Sequence, residues 1–290
     1  MKMPGKFPQA SQIILWAVLL IGLAIFSIPY IFMISNSFET FSYVLPYPPR
    51  ILPKEFNLDA YRHILKQKQI LGAVFNSSTI TITTVGFSLA IASLSAYGFA
   101  RIKFIGREIL FKIYLFTLMM PGFLGIIPQF LVLQGIKIPG IFPEGLIGTR
   151  TGLVLLYVGT GVCGSTFFLR GFFESIPGEI EESVLMDGGT HRTIFSKIML
   201  PLSKPALGTM AIFGLQGTWE EFFTAKIVLG LKQEMMTLPV IIQRLQGQHA
   251  TRWEWVFAAS ILMQLPIIIL FIVFQKKFVI GGLSEGSVKA

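Results

Sequence analysis

The sequence predicts an all-α, polytopic membrane protein of about six transmembrane helices, with a cytoplasmic helix-turn-helix loop set between two of them. Two observations lead there. Hydrophobic residues make up 53% of the chain and charged residues 13%, with a mean hydropathy of +0.68, a balance that excludes an ordinary water-soluble globule. Apolar windows long enough to cross a bilayer recur near residues 12–34, 72–99, 109–133, 151–169, 205–229 and 254–275. These windows fill most of the 290 residues. Residues 1–290 therefore read as a single transmembrane domain, with a polar loop over 170–204 inside it and a tail over 276–290.

The first window follows Lys2 and Lys6. It is too long for the apolar core of a signal peptide and lacks a small-residue cleavage site, so it reads as an uncleaved first span. No Lys or Arg occurs over residues 35–49, just beyond it. Basic residues instead gather at Arg101, Lys103 and Arg107 after the second window and at Lys276 and Lys277 after the last, which places both termini in the cytoplasm. Arg50, Lys54, Arg62, Lys66 and Lys68 in the first outer loop run against this bias, at some distance from the first span. That loop should start extended around Pro46, Pro48, Pro49 and Pro53, then form a helix near Asn57 to Leu65, a surface suited to docking an extracellular partner. Pro121, Pro128 and Pro266 read as ordinary transmembrane kinks.

The net charge of +9 fits basic residues facing the cytoplasm and anionic lipid, and no nucleic-acid partner is expected. One cysteine, Cys163, excludes an internal disulfide framework. His63, His191 and His249 are too scattered for a local metal motif, so neither metal nor cofactor is expected in this chain. The run from Gly159 to Gly164 matches a dinucleotide-binding pattern but lies inside an apolar window, where small residues serve close helix packing. Asn76-Ser77-Ser78 is formally a glycosylation sequon at the start of a span. No Gly-rich loop ending in Gly-Lys-Ser/Thr occurs, so any ATP must be bound by another chain.

The polar loop carries the most specific pattern. Pro177 suits a first helical turn, and Glu179, Glu181 and Glu182 complement its dipole while Ile176, Ile180 and Val184 share a face. Asp187-Gly188-Gly189 ends that helix. Thr190 can cap a second, with Ile194, Phe195, Ile198 and Met199 on one face and Pro201 ending it before the next span. On these residues the sequence resembles the permeases of ATP-binding-cassette importers, whose loop has the pattern E-A-A, three residues, D-G-A and a later leucine-proline pair. Here it reads Glu182-Ser183-Val184, Asp187-Gly188-Gly189 and Leu200-Pro201. The resemblance implies that Glu182, Ser183, Asp187, Gly188, Gly189, Phe195 and Pro201 couple to an ATPase subunit. Further matches point to the carbohydrate branch and the smaller permease of maltose-type importers: Gly217 to Phe222, Thr237-Leu238-Pro239, Leu265-Pro266 through Phe274-Gln275 and the tail from Gly282 to Lys289. Glu220 stands where that branch usually has asparagine. Gly286, Ser287 and Lys289 are implied as a second contact with the ATPases.

The fifth window holds Glu220, Glu221 and Lys226, charges that need protein or water around them. Gln216, Glu220 and Thr224 would share one helical face beside Trp219, Phe222 and Phe223, which outlines a sugar path. The same acids could instead sit near the outer headgroups or pair with a partner subunit.

The resemblance implies a non-catalytic permease subunit of an ATP-driven sugar importer in a bacterial inner membrane. Its implied partners are a second homologous permease, two ATP-binding-cassette ATPases that bind ATP and Mg, an extracytoplasmic sugar-binding protein and membrane lipid. An intramembrane enzyme or a stand-alone carrier using Glu220 and Glu221 is the alternative. The enzyme lacks a nucleophile or metal set, and the carrier would have no use for the polar loop.

Overall fold

The computed structural model describes residues 9–39, 52–230, 232–247 and 251–287, and every described element is helical apart from one isolated β-bridge. The chain gathers into two compact units, Met1–Lys68 with Ile242–Gln264, and Gln69–Ile241 with Leu265–Ala290. Four helices are individually long and apolar enough to cross a membrane, and two bent helix pairs bring the total to as many as six.

In the first unit, α1 (Gln9–Asn36) is apolar around its circumference, and its spanning window buries nothing within the chain, as suits contact with lipid. The expected loop helix forms as α2 (Asp59–Lys66), with Ala60 and Ile64 buried. Asn57 starts it by accepting the Asp59 amide at 2.7 Å. Ser37 and Tyr61 join their hydroxyls at 2.7 Å, and the His63 and Trp255 rings stack at 3.8 Å.

The second unit is organised around α3 (Lys68–Arg101), a helix of 34 residues with 44% of its spanning window buried. The chain then passes through α4 (Arg107–Met119), α5 (Ile126–Gly135) and α6 (Arg150–Ser175). Beyond α6 lie α7 (Glu179–Met186), α8 (His191–Ile194), a π-turn over Phe195–Met199, and α9 (Leu200–Leu202). The remaining helices are α10 (Lys204–Glu220), α11 (Phe223–Leu229), α12 (Leu238–Arg244) and α13 (Trp253–Ser287).

Three details depart from the sequence expectation. The third window is not one kinked helix, because α4 and the segment Gly122–Gly135 meet at 99°. Met120 is extended, as the residue before a proline tends to be, and Gly122 follows Pro121, so the chain turns instead of bending. Pro128 costs little because it lies in the first turn of α5, and α13 continues past Pro266. The fifth window also breaks, between α10 and α11. Pro201 does not end the second loop helix. The π-turn before it widens the hydrogen-bond spacing, with the Leu200 amide reaching Phe195, and the helix runs on to Leu202.

The first half of α3 is tied down by its sequon residues. The Asn76 amide donates to the carbonyls of Glu234 and Met236 at 2.8 and 2.9 Å, and the Ser77 hydroxyl accepts the Leu238 amide at 2.8 Å. Asn76 is buried, which removes it as a glycosylation acceptor. Replacing Asn76 with Ala strands two carbonyls and should cost on the order of 1–3 kcal/mol, read as a lowered unfolding temperature of the detergent-solubilised protein. An unchanged transition would show that this tie does not hold the fold.

Candidate functional site

The polar loop folds as an elbow with two unlike faces. Its first helix, α7, ends in a left-handed turn: Gly188 has φ +79°, its amide donates to Leu185 at 3.0 Å, and the Gly189 amide returns to Val184 at 2.8 Å. A Cβ at Gly189 would lie 2.5 Å from Val184 Cγ1 and 2.7 Å from its carbonyl oxygen, so this valine and this glycine interlock. The second helix starts at Thr190, whose hydroxyl accepts the Thr193 amide at 3.4 Å.

The inner face of the elbow belongs to the core of the membrane helices. Ile176, Ile194 and Met199 are buried in one cluster with Ala92, Ala96 and Tyr97 of α3, Leu169 and Phe173 of α6, and Ala206 of α10, and Val184 and Phe195 pack against it. The Phe195 ring lies 5.3 Å from that of Tyr97, and the Tyr97 hydroxyl meets His191 Nδ1 at 3.0 Å. Ser203, wholly buried, donates to the Met199 carbonyl at 2.7 Å where the elbow turns into α10.

Arg101 holds the start of the elbow. From the last turn of α3 its guanidinium donates to the Phe173 carbonyl at 2.6 Å, which also accepts the Ile176 amide at 3.2 Å, and to the carbonyl of Ile176, where α6 ends. Its Nε also pairs with Glu181 at 2.8 Å, as a close charge pair and not an aligned hydrogen bond, with both side chains about six-sevenths buried. Sequence reasoning missed this role. It counted Arg101 only as a topology signal, and the one available hint was an arginine that ends an otherwise apolar helix.

The outer face is polar with an apolar knob. Glu182, Ser183, Asp187, Gly188 and Pro201 are exposed, and between them stands Met186 at 87% exposure. Among the coupling residues singled out from sequence, Phe195 alone packs inward against the buried core, and Gly189 is half-buried. Gly286 and Ser287 fall in the last turn of α13, and Lys289 lies outside the described residues.

At the break in the fifth span, Glu221 is extended and turns its carboxylate onto the start of α11. It accepts the amides of Thr224 and Ala225 at 2.7 and 3.0 Å and the hydroxyl of Tyr157 from α6. An acid at an N-terminus satisfies free amides and complements the helix dipole, which accounts for a carboxylate inside an apolar segment. The break separates Thr224 from the face shared by Gln216 and Glu220, both of which are exposed. Trp219 is buried and Phe222 half-buried, with Lys226 Nζ 5.2 Å from the Phe222 ring. The two neighbouring acids thus have different surroundings.

The described residues thus form broken, membrane-length helices clasped to a polar elbow. The chain belongs to the family of binding-protein-dependent transport system inner membrane components, whose model matches residues 82–279. An arabinooligosaccharides transport system permease of Bacillus subtilis is 34% identical over 238 residues, 82% of this chain and 80% of the relative. A diacetylchitobiose uptake system permease of Streptomyces coelicolor is 28% identical over 279 residues, 96% of this chain and 87% of the relative. Among solved structures, a bacterial ATP-binding-cassette transporter involved in import of the acidic polysaccharide alginate matches with a TM-score of 0.80 and 26% identity, covering 95% of this chain and all of that one. The chain is a non-catalytic permease subunit of an ATP-binding-cassette importer.

Arg101→Ala removes three partners at once and should destabilise the elbow by about 3 kcal/mol, the scale for leaving one member of a buried pair uncompensated. Glu181→Gln, which keeps the shape and spares the carbonyl bonds, should cost less. Limited proteolysis of residues 176–200 measures both, and equal cleavage in wild type and Arg101→Ala would refute the clasp.

Proposed function

We propose that this chain forms half of the translocation path of an ATP-driven importer of oligosaccharides or related carbohydrates. A second homologous permease supplies the other half. Two ATP-binding-cassette ATPases bind ATP and Mg on the cytoplasmic side, where both termini lie, and an extracytoplasmic sugar-binding protein delivers the cargo. The carbohydrate class is supported by the relatives, which are permeases for arabinooligosaccharides and diacetylchitobiose. A structural relative solved with a pentasaccharide-bound periplasmic protein supports only the shared fold.

The single observation behind the coupling role is the division of the elbow into an exposed rim and a buried root. Glu182, Ser183, Met186, Asp187 and Gly188 form a rim that a cleft on an ATPase can grip. Gly189, Phe195 and Pro201 shape the turn and its second helix, and the root shares its core with α3, α6 and α10. A push on the rim therefore reaches three membrane helices through close-packed side chains, which transmit displacement because they compress little. Gly286, Ser287 and Lys289 give a second contact with the ATPases. In the path, Gln216 and Glu220 offer hydrogen bonds to sugar hydroxyls beside Phe222, while Trp219 and Glu221 hold the break in shape.

The test is co-purification of the tagged chain in mild detergent from its native membranes, with ATPase assay and mass spectrometry of its partners. A second permease and a nucleotide-hydrolysing subunit are expected, and Asp187→Ala with Gly188→Pro should lose the ATPase, because proline cannot adopt the φ of +79° at position 188. Recovery of this chain alone, folded and without ATPase activity, would overturn the reading.

A further inference from the structure

Near the middle of α3, α6 and α10 the three helices line a partly open cavity of about 60 Å³, walled by Thr84, Ser88, Tyr157 and Gly161 together with the apolar Leu89 and Met210. Hydroxyls in an apolar helix commonly turn back to a carbonyl one turn earlier, as Thr79 does to Phe75 at 2.8 Å and Thr160 to Leu156 at 3.1 Å. Thr84 and Ser88 do not. Both are buried, at 4% and 7% exposure, and neither hydroxyl has a hydrogen-bond partner in the protein. In a membrane interior such groups need a partner nearby. The cavity they line is the space in which one fits.

Its chemistry decides the occupant. Apolar cavities stay dry, whereas a cavity with several polar wall groups and room for more than one water is occupied. A volume of about 60 Å³, against roughly 30 Å³ for each water in the liquid, admits about two. Gly161 keeps the space open, since a Cβ there would stand 3.5 Å from the Ser88 hydroxyl oxygen. The Tyr157 hydroxyl donates its hydrogen bond to Glu221 and so presents acceptor lone pairs on the same wall.

We propose that this cavity is a hydration site, in which a small cluster of waters bridges Thr84 and Ser88 to Tyr157. The cluster links the middle of α3 to the Glu221 cap of the broken span. Exchangeable waters leave α3 and α10 freer to slide past one another than interlocked side chains would. The site depends on no particular cargo and on no identified partner.

High-resolution electron cryomicroscopy of the purified protein in nanodiscs, with the subunits that accompany it, tests the proposal directly. Density peaks within hydrogen-bond distance of both hydroxyls are expected, and they should vanish in Thr84→Val/Ser88→Ala while the three helices keep their places. An empty cavity with both hydroxyls turned to carbonyls of their own helix, or one filled by an acyl chain, would overturn it. If the double variant fails to fold, Gly161→Ala, which narrows the cavity, should remove at least one peak. Radiolytic labelling with ¹⁸O-water covers waters too mobile to image: oxygen should enter Tyr157 in the unsubstituted protein and be lost in the variant. Equal labelling in both would refute the site.

Discussion

Where α6 ends, its carbonyls run out of regular helical partners, and the Ile176 amide alone reaches back to Phe173. Arg101 takes the carbonyls of Phe173 and Ile176 from the end of α3, and spends its remaining charge on Glu181. One side chain thereby fixes where a membrane helix stops, where the elbow starts, and which neighbouring helix both are fastened to. The core that unites the elbow with α3, α6 and α10 is assembled around this junction.

The other interruptions obey the same constraint with different chemistry. At the end of α7 the backbone satisfies itself, through a glycine in the left-handed region. At the start of α11 a carboxylate supplies what the backbone cannot, and Glu221 serves as a structural anion inside an apolar span. Before Pro201 the helix loosens to a π-turn and so survives the missing donor. Each break is stabilised locally and costs the surrounding helices little. An alternating-access permease can therefore carry several bends without a disordered backbone at membrane depth.

The parts of this architecture encoded by neighbouring residues were legible in the sequence. The apolar windows at 12–34, 72–99, 151–169 and 254–275 fall on α1, α3, α6 and α13, because length and hydropathy alone decide a straight span. The elbow was legible because Asp187-Gly188-Gly189 and Thr190 write their turn and cap within a few residues. Arg101 was not, since its carbonyl partners lie 72 and 75 positions away and any interfacial arginine looks the same in one dimension. Glu220 and Glu221 were indistinguishable because nothing local marked a helix break between them and Phe223. The break that lets Glu221 reach the Thr224 and Ala225 amides, and the Tyr157 hydroxyl 64 positions earlier, set the second acid apart and leave the first exposed.

The contact of Val184 with Gly189 bears on how such a loop can change over time. An alanine at 189 requires the turn to ease away from the Val184 carbonyl, and the valine methyl occupies that gap. The two positions therefore cannot drift independently. A lineage carrying alanine at both must shrink 189 to glycine before it enlarges 184, and one that has valine must first give it up to return. The elbow can keep its shape while its sequence changes, but only along ordered routes, and its departures from the usual family pattern are expected to travel as a linked pair.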